Sequence, residues 1–226
     1  MFSSERAPRC ADATMPDVKT EDADYRHIEK SYDEGSKDNS GHFQQPHAFI
    51  EPDRQEFIRL LPSGSLVFDC SCGPGMDTER FSQFGSEVNC IDLSERFVQL
   101  TKARVPAATV QKMDMSFSRF SAGKLRRHLG FFQPSSHSTS DIHQTPSGFK
   151  RVLRPGGLFF TAVHRGTETC WVKTTISEME RDTCVQEWIQ NEIEDIVTSA
   201  GLTILRSRSF VRAGGRNPLL SILAKT

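Results

Sequence analysis

No stretch of the 226 residues approaches the ~20 consecutive apolar residues that a membrane-spanning helix needs. Met1 to Asp24 also lacks the apolar core of a secretory leader. A soluble, cytoplasmic chain is the expectation. Charge of either sign is not in excess: 28 Lys and Arg face 29 Asp and Glu, a formal net charge of -1. Nothing here draws the whole molecule to nucleic acid or to an anionic membrane, so neither is expected as a partner. The six cysteines lack metal-ligand spacing, and Cys70 and Cys72 are neighbours on a turn, not a Cys-x-x-Cys pair. Reduced thiols and no metal are expected. A dinucleotide Gly-x-Gly-x-x-Gly is missing as well, since only Gly73 and Gly75 are present.

What is present is concentrated between Leu66 and Asp92. Leu66, Val67 and Phe68 form a short continuous apolar run ending at Asp69, as expected of a parallel strand buried on both faces. Gly73 and Gly75 then permit a turn too tight for a Cβ, with Pro74 stiffening it, so that a ligand can approach the main chain and the next helix's N-terminus. A second apolar run ends in Asp92, 23 residues after Asp69, where a carboxylate can accept the hydroxyls of a ribose. Strand, glycine turn, helix, strand and terminal acid together predict a nucleotide-type ligand.

Along the chain, Met1 to Asp24 is too polar to order itself and reads as a disordered tail. Residues 25–226 read as one domain of ordinary size. Helices are predicted over Pro52 to Leu61, with Phe57, Leu60 and Leu61 inward; over Asp77 to Phe84, with Phe81 and Phe84 facing a sheet; and over Glu95 to Arg104. Asp77 is the expected capping residue of the second. Thr109 to Met113 reads as a third strand, and Asp114 repeats the strand-end acid of Asp69 and Asp92. Asp141 to Leu153 reads as a helix, Leu158 to Val163 as a strand with His164 just past its end, and Gln186 to Ala200 as a helix closed by Gly201. Leu202 to Arg208 and Leu219 to Ala224 read as the last two apolar runs.

These motifs resemble those of the class I S-adenosylmethionine-dependent methyltransferases, of the small-molecule, methyltransferase-domain 11/25 type. Asp69-Cys-Ser-Cys-Gly-Pro-Gly75 is similar to that family's first motif, with Ser71 where a first glycine usually stands. Val88 to Ser94 resembles the ribose-binding strand, Lys112 to Met115 the adenine-contacting motif, and Val152 to Gly157 the turn before strand five. The resemblance implies a Rossmann-like three-layer α/β sandwich with a mostly parallel seven-stranded sheet and a C-terminal antiparallel hairpin. It implies S-adenosyl-L-methionine as cofactor: Gly73, Cys72 and Gly75 along the methionine end with Asp69 and Asp77, Asp92 and Leu93 at the ribose, Asp114 and Met115 at the adenine. Tyr25 to Phe43 resembles the leading helix that covers the cofactor, in which Tyr32 either lines the cleft or packs the core. The stretch His164 to Trp188, holding both tryptophans, Trp171 and Trp188, is implied as the acceptor side, while each tryptophan reads equally as core packing and the lone His164 more as a loop residue than as a base.

The resemblance fails at strand four. Lys124-Leu-Arg-Arg-His-Leu-Gly is basic and shows no strand alternation, and Gln133 to Thr139 is polar. The family would offer Phe-Asp-Gly-Ile-Trp-Ala-Ser-Ser-Ser-Leu-Leu-His-Ile-Pro here. One permitted coding of Lys124 to Ser138, read one base later, yields that motif, so residues 125–140 are either a frame-shifted segment or a basic surface loop. Strand four is therefore expected to be disrupted, and no catalytic residue is identified.

A methyltransferase acting on a small molecule, in natural-product biosynthesis, is the reading that follows. Its alternatives are an impaired, methyltransferase-like protein that binds cofactor or a partner, and a tRNA or protein methyltransferase.

Overall fold

The computed structural model describes residues 30, 33, 50–113, 130–132, 147, 148, 150, 151, 153–167, 169–176, 179–210 and 218–226, with backbone alone for 130–132 and 169–186. The expected tail, Tyr32, Asp114 and Met115 lie outside them. Among the described residues four helices and nine strands have defined bounds. The helices are α1 (Glu51–Leu60), α2 (Met76–Gln83), α3 (Glu95–Arg104) and α4 (Gln190–Ser199). The strands are β1 (Leu66–Cys70), β2 (Glu87–Asp92), β3 (Thr109–Lys112), β4 (Gly130–Phe132), β5 (Leu158–Arg165), β6 (Thr169–Ile176), β7 (Met179–Trp188), β8 (Thr203–Phe210) and β9 (Leu219–Lys225). No described helix is long and apolar enough to cross a membrane.

The strands form one sheet in the order β3-β2-β1-β4-β5, parallel throughout, and the path then divides. On one edge β5 pairs antiparallel with β9 from Leu158↔Lys225 to His164↔Leu219, and β9 pairs antiparallel with β8. This is the C-terminal antiparallel hairpin that the resemblance implies. At its far end β5 also pairs in parallel with β7, which carries β6 as a hairpin. Nine strands are thus described, seven of them in the run β3-β2-β1-β4-β5-β9-β8, with the β6–β7 hairpin in addition.

Helices cover both faces, because successive side chains of a strand point to opposite sides. Val67, Val88, Phe160 and Ala162 pack with Phe57 of α1 and Phe81 of α2 on one face. Phe68, Ile91, Phe159, Val163 and Ile222 pack with Ile193, Ile196 and Val197 of α4 on the other. Such two-sided burial is why β1, β5 and β9 read as continuous apolar runs without alternation. Phe57 sits at ring-centroid distances of 5.9 Å from Phe81 and 5.4 Å from Phe160, fastening α1 and α2 to the sheet. Two inward assignments are corrected: Leu60 is 47% and Phe84 43% exposed, each at the last turn where its helix overruns the sheet.

Two further elements differ from expectation. The strand-four position holds β4, Gly130–Phe132, paired to β1 (Cys70↔Phe132) and β5 (Phe132↔Thr161). A central strand buried on both faces is not recognised by alternation, and a three-residue one hidden behind a basic run leaves only Gly-Phe-Phe as its signal. The remainder of 125–140 lies outside the described residues. The second difference is the β6–β7 hairpin, which the sequence reading left as an acceptor wall without strands. The β-branched and aromatic run Thr169-Cys-Trp-Val-Lys-Thr-Thr-Ile176 was its signal.

Candidate functional site

The site is built where β1 and β2 end. After Cys70 the chain turns through Ser71 at φ +62°, the one non-glycine residue with positive φ among those described. Ser71 therefore adopts the left-handed conformation that a glycine adopts without strain, at a cost of about 1–2 kcal/mol. Gly73 follows at φ +54° with no atom of the described residues within 4 Å of the place a Cβ would occupy. Gly75, at φ +83°, is required for a different reason, because a Cβ there would lie 2.9 Å from the Thr101 side chain.

The turn is fixed from α3 and β2. The Thr101 hydroxyl donates to the Gly73 carbonyl at 2.7 Å, and Arg104 Nε donates to the Pro74 carbonyl at 2.9 Å. The Cys72 N–H donates to the Ile91 carbonyl at 3.1 Å, and the buried Cys72 thiol reaches Thr101 Oγ1 at 3.8 Å. Its hydrogen bond with Cys90, reinforced by burial, pushes the Cys72 thiol well above its ordinary range, while burial does the same to Cys70. These are structural thiols, not nucleophiles. Among the described residues no cluster of three or more His, Cys, Asp or Glu could hold a metal.

Asp92 closes the turn. Its Oδ2 accepts from the Gly73 N–H at 2.8 Å and its Oδ1 from the Ser94 N–H at 2.9 Å. Burial raises this carboxyl to about 6 despite those N–H groups. Each oxygen keeps a second acceptor position, which a ribose hydroxyl can use. Leu93 is half-buried beside it, and the Met113 N–H donates to the Asp92 carbonyl at 3.0 Å, bringing the end of β3 to the same edge. Asp33 accepts from the Ser94 hydroxyl, so the segment preceding α1 touches this edge too.

Asp69 is 1% exposed; its Oδ2 accepts from Thr78 Oγ1 at 2.6 Å, while its Oδ1 is buried with no hydrogen-bond partner among the described residues. Burial, with the neighbouring Asp77 and Asp92 charges, raises the Asp69 carboxyl to about 8. Asp77 departs from its expected capping role. The N-cap of α2 is Gly75, with no side-chain cap, and Asp77 in the first turn forms an ion pair at 2.7 Å with Arg54 Nε. Arg54, 1% exposed, also pairs with Glu51 at 2.6 Å, and Glu51 with Arg80. This buried α1–α2 network escaped the sequence reading; its trace is a charged residue, Arg54, three residues before Phe57 on an inward helix face.

On the other flank, consecutive amides show where β7 lies. The Arg165 N–H donates to the Pro218 carbonyl, on the side of β9, whereas the Gly166 N–H donates to the Trp188 carbonyl on the opposite side. That is the side of β4, so the end of β7 takes up, beyond Phe132, the position that β4 leaves. His164 is within β5, not past its end, in register with Glu187. A Cβ on Gly166 would meet Glu187 Oε2 at 1.8 Å, so this glycine makes room for a carboxylate at the carboxyl edge. Glu187 was missed because nothing in its local sequence marks it. Trp188 is 2% exposed and packs in the core with Phe159, Val163 and Ile193. Of Trp171 only the backbone, in β6 opposite Cys184, is described.

A glycine turn after a buried parallel strand, an acid closing the next strand and helices on both faces define an α/β nucleotide-binding protein with its ligand at the carboxyl edge of the sheet. The comparisons narrow the class. Residues 67–157 match the methyltransferase domain family. An S-adenosyl-L-methionine-dependent Diels-Alderase of Neonectria sp. is 32% identical over 45% of this chain and 40% of its own length. An uncharacterised methyltransferase of Synechocystis sp. is 28% identical over 71% of this chain and 76% of its own. The chain thus spans under half of the fungal relative. Among solved structures, the 1,6-didemethyltoxoflavin-N1-methyltransferase of Burkholderia thailandensis shares the fold, with a TM-score of 0.70 over 95% of this chain and 94% of that one at 15% identity. Residues 67–157 are thus similar to the methyltransferase domain family, and the fold is shared with S-adenosylmethionine-dependent methyltransferases of known structure.

Proposed function

We propose that the protein is an enzyme that transfers the methyl group of S-adenosylmethionine to a small-molecule acceptor in natural-product biosynthesis. The constellation of Asp69, the Gly73 turn and Asp92 carries the reading. The residues present fit this cofactor: among the described residues a buried oxygen of Asp69 has no donor, no atom stands within 4 Å of a Cβ on Gly73, and α2 begins without a side-chain cap. Cys72, Gly73 and Gly75 would hold the methionine end together with Asp69, and Asp92 and Leu93 would hold the ribose; the resemblance adds Asp114 and Met115 for the adenine and Tyr32 for the cleft. Asp77 acts one step removed, by fixing the start of α2 through Arg54.

The cofactor's sulfonium supplies an already activated methyl group. The chain's own residues have only to align the acceptor atom and exclude water. His164 and Glu187, at the carboxyl edge where β7 continues the place of β4, are the acceptor-side groups, with Trp171 on the adjoining hairpin. The methyltransferase of similar fold that binds 1,6-didemethyltoxoflavin favours a small organic acceptor.

The reading is tested by calorimetric titration of the folded protein with S-adenosylhomocysteine, followed by a panel of amine, hydroxyl and thiol acceptors assayed for formation of that product. Binding in the micromolar range and turnover of one acceptor class are expected. The basic, non-alternating sequence Lys124 to His128 just before β4 favours a second reading, a cofactor-binding relic, which predicts binding without turnover of any acceptor. Absence of binding removes the first reading.

A further inference from the structure

The Asp69 carboxylate is placed where an unpaired negative charge is hardest to keep. It is 1% exposed, and its one hydrogen bond among the described residues comes from the neutral Thr78 hydroxyl. Its other oxygen, Oδ1, is buried with no donor among the described residues. The strands beside it offer Cys90 and Phe131 in register, neither of them a cation. From α2 it faces Asp77, from β2 Asp92, and on β1 it adjoins Cys70; the cation acting on it is Arg54 of α1, already bound to Asp77 and Glu51. Three acids thus surround the turn, with one buried arginine shared among them. A carboxyl so placed is neutral until a cation arrives, because an unpaired buried charge is costlier than a buried acid.

We propose that Asp69 keeps its proton in the ligand-free cleft and gives it up to solvent when the ammonium of the cofactor's amino-acid end enters, so that cofactor capture releases a proton. The O–H bond of the carboxyl breaks, the electron pair stays on the carboxylate, and the new charge faces the incoming ammonium. The inference rests on the cofactor reading above. It adds that the cleft senses the amino-acid end specifically, since a nucleoside thioether lacking that end brings no cation. The elevated position of the Asp69 carboxyl, about 8, agrees with this order of events.

The full chain is titrated at pH 7 with S-adenosylhomocysteine in buffers of differing ionisation enthalpy, and the dependence of the observed heat on the buffer gives the protons exchanged. A free α-amino group is mostly charged at this pH and takes up little. Roughly 0.5–1 proton released is expected for a carboxyl that titrates about one unit above the working pH. Little or none is expected with 5′-methylthioadenosine, the same nucleoside thioether without the amino-acid tail, or with Asp69→Asn. An infrared difference spectrum of the unaltered protein, losing a protonated-carboxyl band when S-adenosylhomocysteine binds, supplies the same answer should the variant not fold. Binding heat without buffer dependence, or equal release by the Asn variant, overturns the proton coupling alone. No binding heat in any buffer overturns the cofactor reading together with it.

Discussion

At Ser71 and Gly75 the same turn makes opposite demands. Ser71 holds φ +62° with a side chain that resists it, whereas Gly75 at φ +83° has neither the conformational tolerance nor the room for one. Ser71→Gly is expected to leave the protein equally stable or up to about 1 kcal/mol more so, since relief of the left-handed strain is partly offset by the greater freedom of glycine in the unfolded chain. Gly75→Ala is expected to lose about 2–3 kcal/mol, because strain and the contact with Thr101 add. Denaturant unfolding of both variants checks the pair, and a stabilised Gly75→Ala would contradict the close approach of α3. Ser71 was legible as a departure from the family's glycine. That the departure is a strained one required the backbone, since a sequence carries no φ. Asp69 and Asp92 were legible as strand-end acids, but the Thr78 bond of the first and the Gly73 bond of the second were not, for partners 9 and 19 residues away are chosen by the turn.

The turn is supported from α1, an element that carries none of the expected ligand groups. Arg54 reaches from α1 to Asp77 in the first turn of α2 and so sets where the helix after the glycine turn begins. Removing it leaves Asp77 and Glu51 with one fewer buried cation. Arg54→Met is expected to cost about 3–5 kcal/mol, the scale for breaking a buried pair, and pairing it with Asp77→Asn should restore part of that loss. A double-mutant cycle read by thermal unfolding measures the coupling; additive losses would mean that the two groups do not act together. On the other flank, Gly166→Ala is expected to displace Glu187 and shift the end of β7 while leaving cofactor binding within a factor of a few. Affinity for S-adenosylhomocysteine beside the amide spectrum of β5 reports it. The short β4 and the β6–β7 hairpin show why elements were harder to read than motifs. Three residues of central strand give no period, and a hairpin that departs from β5 after two paired residues looks in sequence like a loop.

For the whole molecule the buried acids set the dependence of stability on pH. The Asp69 carboxyl is raised by burial and its acidic neighbours to about 8, and Asp92 by burial to about 6, from ordinary values of 3.8; Asp77 is also raised by burial, against the pull of Arg54 and Arg80. Each is an acid whose folded form holds its proton longer than the unfolded form. Their contribution is therefore complete below pH 3.8 and is lost as pH rises, through about 6 for Asp92 and about 8 for Asp69. The ligand-free protein is expected to lose stability between pH 5 and 8 with a slope of up to about 1.4 kcal/mol per pH unit for each proton involved. Asp69→Asn should flatten the upper half of that curve, and unfolding midpoints at fixed ligand-free conditions across the range check it. A curve rising through pH 6 to 8 would show the cleft to be ionised.

By itself the sequence determined the apolar strands of a parallel α/β core and the glycine turn between two acid-ended strands. Each is written in contiguous residues, where apolar runs, glycines and terminal acids follow local rules of backbone conformation and burial. Tertiary structure alone decided which partners those groups meet: Thr101 beneath Gly75, Arg54 against Asp77, the end of β7 in the place beyond β4, and an Asp69 oxygen with no donor among the described residues. These depend on how separate helices and strands settle on two faces of one sheet, and burial there gives a carboxylate a charge state that its position in the chain does not reveal.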